Sequence, residues 1–239
     1  MEMIRLKKLV IYLLLLAVAA AAVLTLAFTD TRGGEPGRLK IVVHSDGPDG
    51  VLVNAAHRWE GETPELVSVF ENKTGSYYVR DKTVTVAKEI MQPLNDMMDA
   101  FYAETGLKRV NVVSGYRTEE EQEKLFREEV AEKGEKEAEK WVNRPGYSEH
   151  HTGLAVDLSL FFAEDGSSAR FDGEGDYAWF RENSWRYGFI LRYTAEKQAI
   201  TGISPEPWHF RYVGSDAAGK IYGHGLCLEE YLAGLADNG

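Results

Sequence analysis

Ser148-Glu-His-His-Thr-Gly-Leu-Ala-Val-Asp157, continuing as Leu-Ser-Leu160, is the stretch around which this 239-residue chain is organised. From Leu154 the residues alternate: Leu154, Val156, Leu158 and Leu160 point one way, while Ala155, Asp157 and Ser159 point the other. A period of two is the pattern of a strand with one buried face. Asp157 therefore leaves the sheet opposite the apolar residues, towards a cleft. About fifty residues later, Glu206-Pro-Trp-His209 leads into a second strand, His209 to Val213, in which His209 and Phe210 must face opposite sides. The two segments together offer histidines and carboxylates suited to a divalent ion. A catalytic zinc site takes three protein ligands and keeps one position open for water. His150, Asp157 and His209 would fill those places. Glu206 would be left as an unligated carboxylate beside the metal, where a general base belongs.

Each of these residues also has a plainer reading, since most histidines and aspartates are structural or solvated. Glu206 lies between Pro205 and Pro207, which pushes its backbone to an extended conformation. It cannot then sit one helical turn from His209, as in the helical HExxH arrangement. Either it shares the cleft with the metal or it is a surface carboxylate ahead of a strand. Arg117 follows a strand end, in Ser114-Gly-Tyr-Arg117, and precedes a helix. A guanidinium there could grip a substrate carboxylate or a developing oxyanion, or it could pair with one of the many nearby glutamates. His151 diverges from its neighbour His150 and reads as a supporting or surface residue. His44, His57 and His224 have no partners by sequence.

A hydrophobic content of 44% with 27% charged residues describes a globular chain. The net charge of -11 argues against nucleic acid as a partner. A lone cysteine, Cys227, excludes an intrachain disulfide framework and a cysteine metal cluster, and its apolar neighbours point to burial. Leu9 to Phe28 carries no charge and follows Arg5, Lys7 and Lys8. Its length matches the roughly 20 residues that cross a bilayer core as a helix. The expected organisation is a cytoplasmic N-terminus at 1–8, a transmembrane anchor at 9–28, a Gly/Pro-rich linker at 29–50 and the domain that carries the candidate zinc site at 51–239. This places the domain outside the cell membrane on a single-pass anchor. The competing reading is a cleaved signal peptide, with a shorter apolar region of about 7–15 residues, which would make the domain secreted.

Leu39–Val43 reads as an edge strand with Val51–Asn54 as its partner across a turn. From Thr83 a helical pattern places Val86, Ile90, Leu94, Met97, Met98 and Phe101 on one face. Pro93 should kink or restart this helix and Gly106 should end it. Arg109–Val113 is a strand. Thr118 and Glu121 form a capping box for a charged helix running to about Trp141, with Leu125, Phe126 and Val130 inward. Residues 163–175 read as a loop, Asp176–Tyr187 as a short amphipathic helix with Tyr177, Phe180 and Trp185 inward, Gly188–Arg192 as a strand, and Leu228–Leu235 as a closing helix.

SEHHTGLAVD and EPWH resemble the SxHxxGxAxD and ExxH signatures of the zinc D-alanyl-D-alanine carboxypeptidases of VanY type. SGYRTEEEQ, GFILRY and WHFRYVG resemble further segments of that family, so the likeness spans roughly Pro64 to Val213. The resemblance implies zinc held by His150, Asp157 and His209, with Glu206 as catalytic base and Arg117 on the substrate or transition state. It further implies that Ser114, Gln122 and Ser148 line the substrate cleft. His151 stands where the family leads one to expect glutamine, which leaves the metal site alone but alters the cleft wall. The implied fold is α+β, a small antiparallel sheet flanked by helices (Hedgehog/DD-peptidase-like), here preceded by one N-terminal transmembrane helix. The implied activity is a D,D-carboxypeptidase that removes the terminal D-alanine from peptidoglycan stem peptides. An L,D-carboxypeptidase or D,D-dipeptidase would use the same cage, and a cell-wall binding module without turnover would have no use for Glu206.

Overall fold

A computed structural model describes residues 50–237, so the readings of an anchor at 9–28, a strand at Leu39–Val43 and nearly all of the linker lie outside the described residues. In chain order the strands are β1 (Leu66–Ser68), β2 (Tyr78–Val79), β3 (Thr85–Ala87), β4 (Val110–Ser114), β5 (Ala155–Phe162), β6 (Ser167–Arg170), β7 (Phe189–Tyr193) and β8 (Glu206–Tyr212). The helices are α1 (Val69–Asn72), α2 (Lys88–Thr105), α3 (Glu119–Lys133), α4 (Glu135–Ala138), α5 (Ala178–Asn183), α6 (Gln198–Thr201), α7 (Ser215–His224) and α8 (Leu228–Asp237). The main sheet runs β2-β4-β5-β8-β7, with β6 paired to β5, and a small second sheet joins β1 to β3. The architecture is α+β, but the sheet is mixed: β2 runs parallel to β4, and every other pair is antiparallel.

The alternation along β5 sorts its two faces as expected. Val156, Leu158 and Leu160 are buried in the main core, against Ile90, Leu94, Met97 and Phe101 of α2 and Phe210 of β8. Val86 reaches that core from β3, because pairing with β1 holds Thr85–Ala87 extended and the helix starts only at Lys88. α2 runs unbroken through Pro93 to a left-handed cap at Gly106. The lost hydrogen bond there does not restart the helix, since Ile90 and Leu94 on either side are fully buried. A second core, on the other side of β7, is built from Ile190, Val213, Ala218, Ile221, Leu228 and Leu232 under α7 and α8.

Several expected elements differ. Val51–Asn54 is not a strand: Asn54 makes only an isolated bridge to His57, while Leu52 and Val53 are buried. Both halves of the Thr118–Glu121 capping box are present, but α3 stops at Lys133, where Gly134 has a φ of 81°. Leu125 faces out, 39% exposed, while Phe126 is buried. The stretch expected as a loop at 163–175 contains β6, and Asp176–Tyr187 is broken into a 3₁₀ turn, α5 and another 3₁₀ turn. Trp179, on α5, is buried alongside Phe180.

Candidate active site

His150 sits in a single 3₁₀ turn, Glu149–Thr152, where the Ser148 hydroxyl accepts from the His150 amide at 3.4 Å. The turn closes at Gly153, whose φ is 69° and whose backbone lies so near β3 that a Cβ would come 2.9 Å from Ala87 N. Only glycine fits both demands. The His150 imidazole donates through Nδ1 to the Gly115 carbonyl at 2.6 Å. Its lone-pair nitrogen is therefore Nε2, which faces Asp157 Oδ2 at 3.1 Å.

Asp157 and His209 are direct cross-strand neighbours on β5 and β8, and Ser114 faces Asp157 from β4. This row of three shares one face of the sheet, because residues directly opposite one another point the same way. His209 donates through Nε2 to Glu149 Oε2 at 3.2 Å and turns Nδ1 to Asp157 Oδ1 at 2.9 Å. In that tautomer both facing atoms are acceptors, so a positive charge belongs between them. Burial works against a protonated His209, yet the bonds to Asp157 and Glu149 outweigh it and push the imidazole up to about 10. The same negative surroundings that favour a charged imidazole favour a bound cation. Ligand atoms of His150, Asp157 and His209 all lie within 4.8 Å of one another. Two imidazole nitrogens and a carboxylate are a donor set that suits zinc, with bonds of about 2.0–2.2 Å.

Glu206 is the first residue of β8, opposite Tyr193, so the extended backbone expected from its flanking prolines is realised inside the strand. Its Oε2 lies 3.9 Å from His209 Nδ1, and it is only 7% exposed. Burial pushes this carboxyl up to about 8; His209 and Arg117 pull against the rise, and Asp157 and Glu149 add to it. Glu206 is not a surface carboxylate.

Arg117 finds its hydrogen-bond acceptors within the site, not among the glutamates of α3. Its guanidinium donates to Gln122 Oε1 and Ser114 Oγ, each at 2.8 Å, and lies 3.7 Å from Asp157 Oδ2. Ser114 thus holds Arg117, while Gln122 and Ser148 line a cleft of about 550 Å³ together with Arg117, His150, Asp157, Glu206 and His209. Leu125, Glu129 and Lys133 extend one wall of that cleft along α3. His151 clamps the backbone beneath the site: Nδ1 donates to the Arg117 carbonyl at 2.8 Å, and Nε2 accepts from the Gly146 amide at 3.1 Å.

Glu149 was not legible as a functional residue. It is buried between the His209 imidazole and two arginines, with Oε1 2.8 Å from Arg192 Nε and 3.1 Å from Arg211 Nη1. Those charges, outweighing the cost of burial, hold its carboxyl well below the usual range. An ionised Glu149 fixes the tautomer and the ring plane of His209. Arg192 in turn donates twice to Glu229 of α8, at 2.7 and 2.9 Å. The sequence offered one signal for this, a charged residue next to the histidine pair, but no hint of partners so far along the chain.

The sequence pattern of the D-alanyl-D-alanine carboxypeptidase family VanY matches residues 83–215, a span that holds His150, Asp157, His209, Glu206, Arg117 and Glu149 but not Glu229. A D-alanyl-D-alanine carboxypeptidase of Enterococcus faecalis is 49% identical over 148 residues, covering 58% of this chain and 52% of that protein, so the chain spans about half the relative's length. The vancomycin-resistance D,D-pentapeptidase VanY, crystallised as a variant with Zn(II), aligns with a TM-score of 0.63 and 40% identity over 76% of this chain and 97% of its own. The LD-carboxypeptidase LdcB aligns with a TM-score of 0.66 and 35% identity over 78% of this chain and 87% of its own. On its matched span and its likeness to these proteins, the chain belongs to the VanY family of D-alanyl-D-alanine carboxypeptidases.

Proposed function

We propose that this protein is a zinc-dependent D,D-carboxypeptidase that removes the terminal D-alanine from peptidoglycan stem peptides. The observation that carries the reading is the meeting of three ligand atoms within 4.8 Å, with the Glu206 carboxylate 3.9 Å from one of them and outside the set. His150, Asp157 and His209 would hold the ion. Zinc in such a cage supplies a Lewis acid and an acidified water. Glu206 accepts the proton of the attacking water and delivers it to the leaving amine. Its buried carboxyl, 3.9 Å from His209 Nδ1 and outside the ligand set, stands where a general base for that water belongs. Arg117, already oriented by Ser114 and Gln122, balances negative charge developing on the scissile carbonyl oxygen.

The test is to incubate the zinc-loaded protein with peptides ending in D-Ala-D-Ala and follow the products by mass. Loss of one alanine supports the reading, whereas release of D-Ala-D-Ala as a unit would make the protein a dipeptidase. Cleavage only of a peptide ending in L-Lys-D-Ala would move it to the L,D class, the class of LdcB. Glu206→Ala should lower kcat by about 10²–10⁴-fold while zinc stays bound. Ordinary turnover in that variant would refute the role given to Glu206.

The proposal extends to location. The uncharged run Leu9 to Phe28 would tether the domain to the outer face of the cell membrane. Membrane fractionation, with N-terminal sequencing of the mature protein, distinguishes this anchor from a cleaved leader and a secreted domain.

A further inference from the structure

Arg170 closes β6 directly opposite Ser159 of β5. Ser159 is two residues beyond Asp157 on the same strand, so the two share a face. A second cross-strand row, Asn111–Ser159–Arg170, therefore runs beside the row Ser114–Asp157–His209. The spacing along the strand is about 7 Å. The Arg170 guanidinium lies 4.0 Å from the ring centre of Trp208, the residue next to His209, and both line the same cleft as Glu206.

The other cations of that cleft are already committed. Arg117 is bound to Ser114, Gln122 and Asp157, and Lys133 is paired with Glu129 at 2.6 Å. Arg170 is exposed and, among the described residues, has no carboxylate within ion-pairing distance. A guanidinium stacked on an indole keeps its in-plane donors free for a planar anion while its orientation is fixed. It offers that anchor in a chain whose net charge is -11.

We propose that Arg170, braced on Trp208, binds a free carboxylate of the substrate peptide upstream of the scissile bond, so that the enzyme prefers stem peptides acidic at that position. The proposal rests on the carboxypeptidase reading above. The position decides which carboxylate is meant. The terminal carboxylate lies within one residue of the scissile carbonyl, where Arg117 stands against Asp157. Arg170, on the next cross-strand row and against Trp208, meets a side branch of the peptide instead.

Two acylated peptides ending in D-Ala-D-Ala test this, identical except for a carboxylate or a carboxamide on the second residue upstream of the scissile bond. The zinc-loaded chain should favour the carboxylate peptide by about fivefold in kcat/KM, the scale of one solvent-accessible ion pair. The preference should shrink as salt is raised. Arg170→Gln should bring the ratio to about one, and Arg170→Lys should keep part of it. A wild-type ratio of one, or a ratio that survives in Arg170→Gln, would overturn the proposal. The same pair titrated calorimetrically into zinc-loaded Glu206→Gln reads the preference without turnover. Preferred binding without cleavage by the wild type would overturn the proposed reaction and leave the Arg170 assignment standing. Equal binding of both peptides, or binding of neither, would overturn the Arg170 assignment itself.

Discussion

The two faces of β5 are held by different kinds of force. Towards α2, Val156, Leu158 and Leu160 pack beside Leu94, Phe101 and Phe210, each held by many weak contacts. On the opposite face Asp157 meets His150, His209 and Arg117 at defined atoms, and His209 passes the chain of partners to Glu149, Arg192 and Glu229. Dispersion and burial are additive and non-directional, so damage to the first face should be graded and read as stability. Hydrogen bonds and charge pairs are directional and costly when half-made, so damage to the second face should read as lost metal or lost turnover. The contrast can be broken from either side.

The largest effect should come from Asp157→Ala. It removes the residue that touches both imidazoles and the arginine, so metal analysis after dialysis should find the variant empty and turnover should disappear. Zinc retained at wild-type stoichiometry would end the assignment of Asp157 as a ligand. On the apolar face, Leu94→Ala should cost about 2–5 kcal/mol in urea unfolding. Leu94 is fully buried in the main core with the apolar face of β5, and it does not line the cleft. The folded fraction of that variant should bind zinc as the native protein does; a weakened site would mean that the two faces are coupled.

Glu149→Gln tests the next link outward. Removing a carboxylate that orients a metal-binding histidine typically weakens metal affinity about 10–100-fold. Competition against a graded chelator should place this variant in that range, and unchanged affinity would make Glu149 a structural ion pair with the arginines alone. Glu229→Gln reaches further still and should act on stability by about 1–2 kcal/mol near pH 7. Burial raises the Glu229 carboxyl, but the charge and hydrogen bonds of Arg192 and the hydrogen bond from Asn54 outweigh it and hold it below its ordinary 4.5. A carboxyl depressed by folding stabilises above its unfolded value, and that contribution is lost as pH falls through the folded value. The gap between wild type and variant should therefore be full at neutral pH and close below about pH 4.5. A gap independent of pH would mean that the charge of Glu229 contributes nothing.

These faces were not equally readable from the chain. The alternation at Leu154–Leu160 placed both faces of β5, because one strand needs only its own period. The prolines around Glu206 fixed its extended backbone, and Thr118 with Glu121 announced the start of α3. What stayed hidden depends on partners distant in sequence. β6 is exposed throughout and has no apolar pattern, so only its pairing with β5 makes it a strand. The short parallel contact of β2 with β4 is likewise set by the neighbour. α7 is rich in small residues, Ala217, Ala218 and Gly219 among them, and needs the second core to define its inner face. Val86 fits both the helical and the strand period, which is why the helix was expected to begin too early.

Leu125 gives the smallest effect and the finest test of the contrast. Its position in α3, beside Phe126, suggested a core residue, yet it is 39% exposed and lines the cleft. Gln122, Leu125, Glu129 and Lys133 follow one another at helical spacing along that wall; Phe126, four residues after Gln122, borders the same stripe on its buried side, and Leu125 lies at its exposed margin. Leu125→Ser should accordingly change the free energy of unfolding by no more than about 0.5 kcal/mol, as surface substitutions do. Unfolding curves of Leu125→Ser and Leu94→Ala compared side by side decide the matter. A loss at Leu125 approaching that at Leu94 would show that the cleft wall is part of the packed interior, and that apolar and polar faces are not separable in the way the distribution of burial implies.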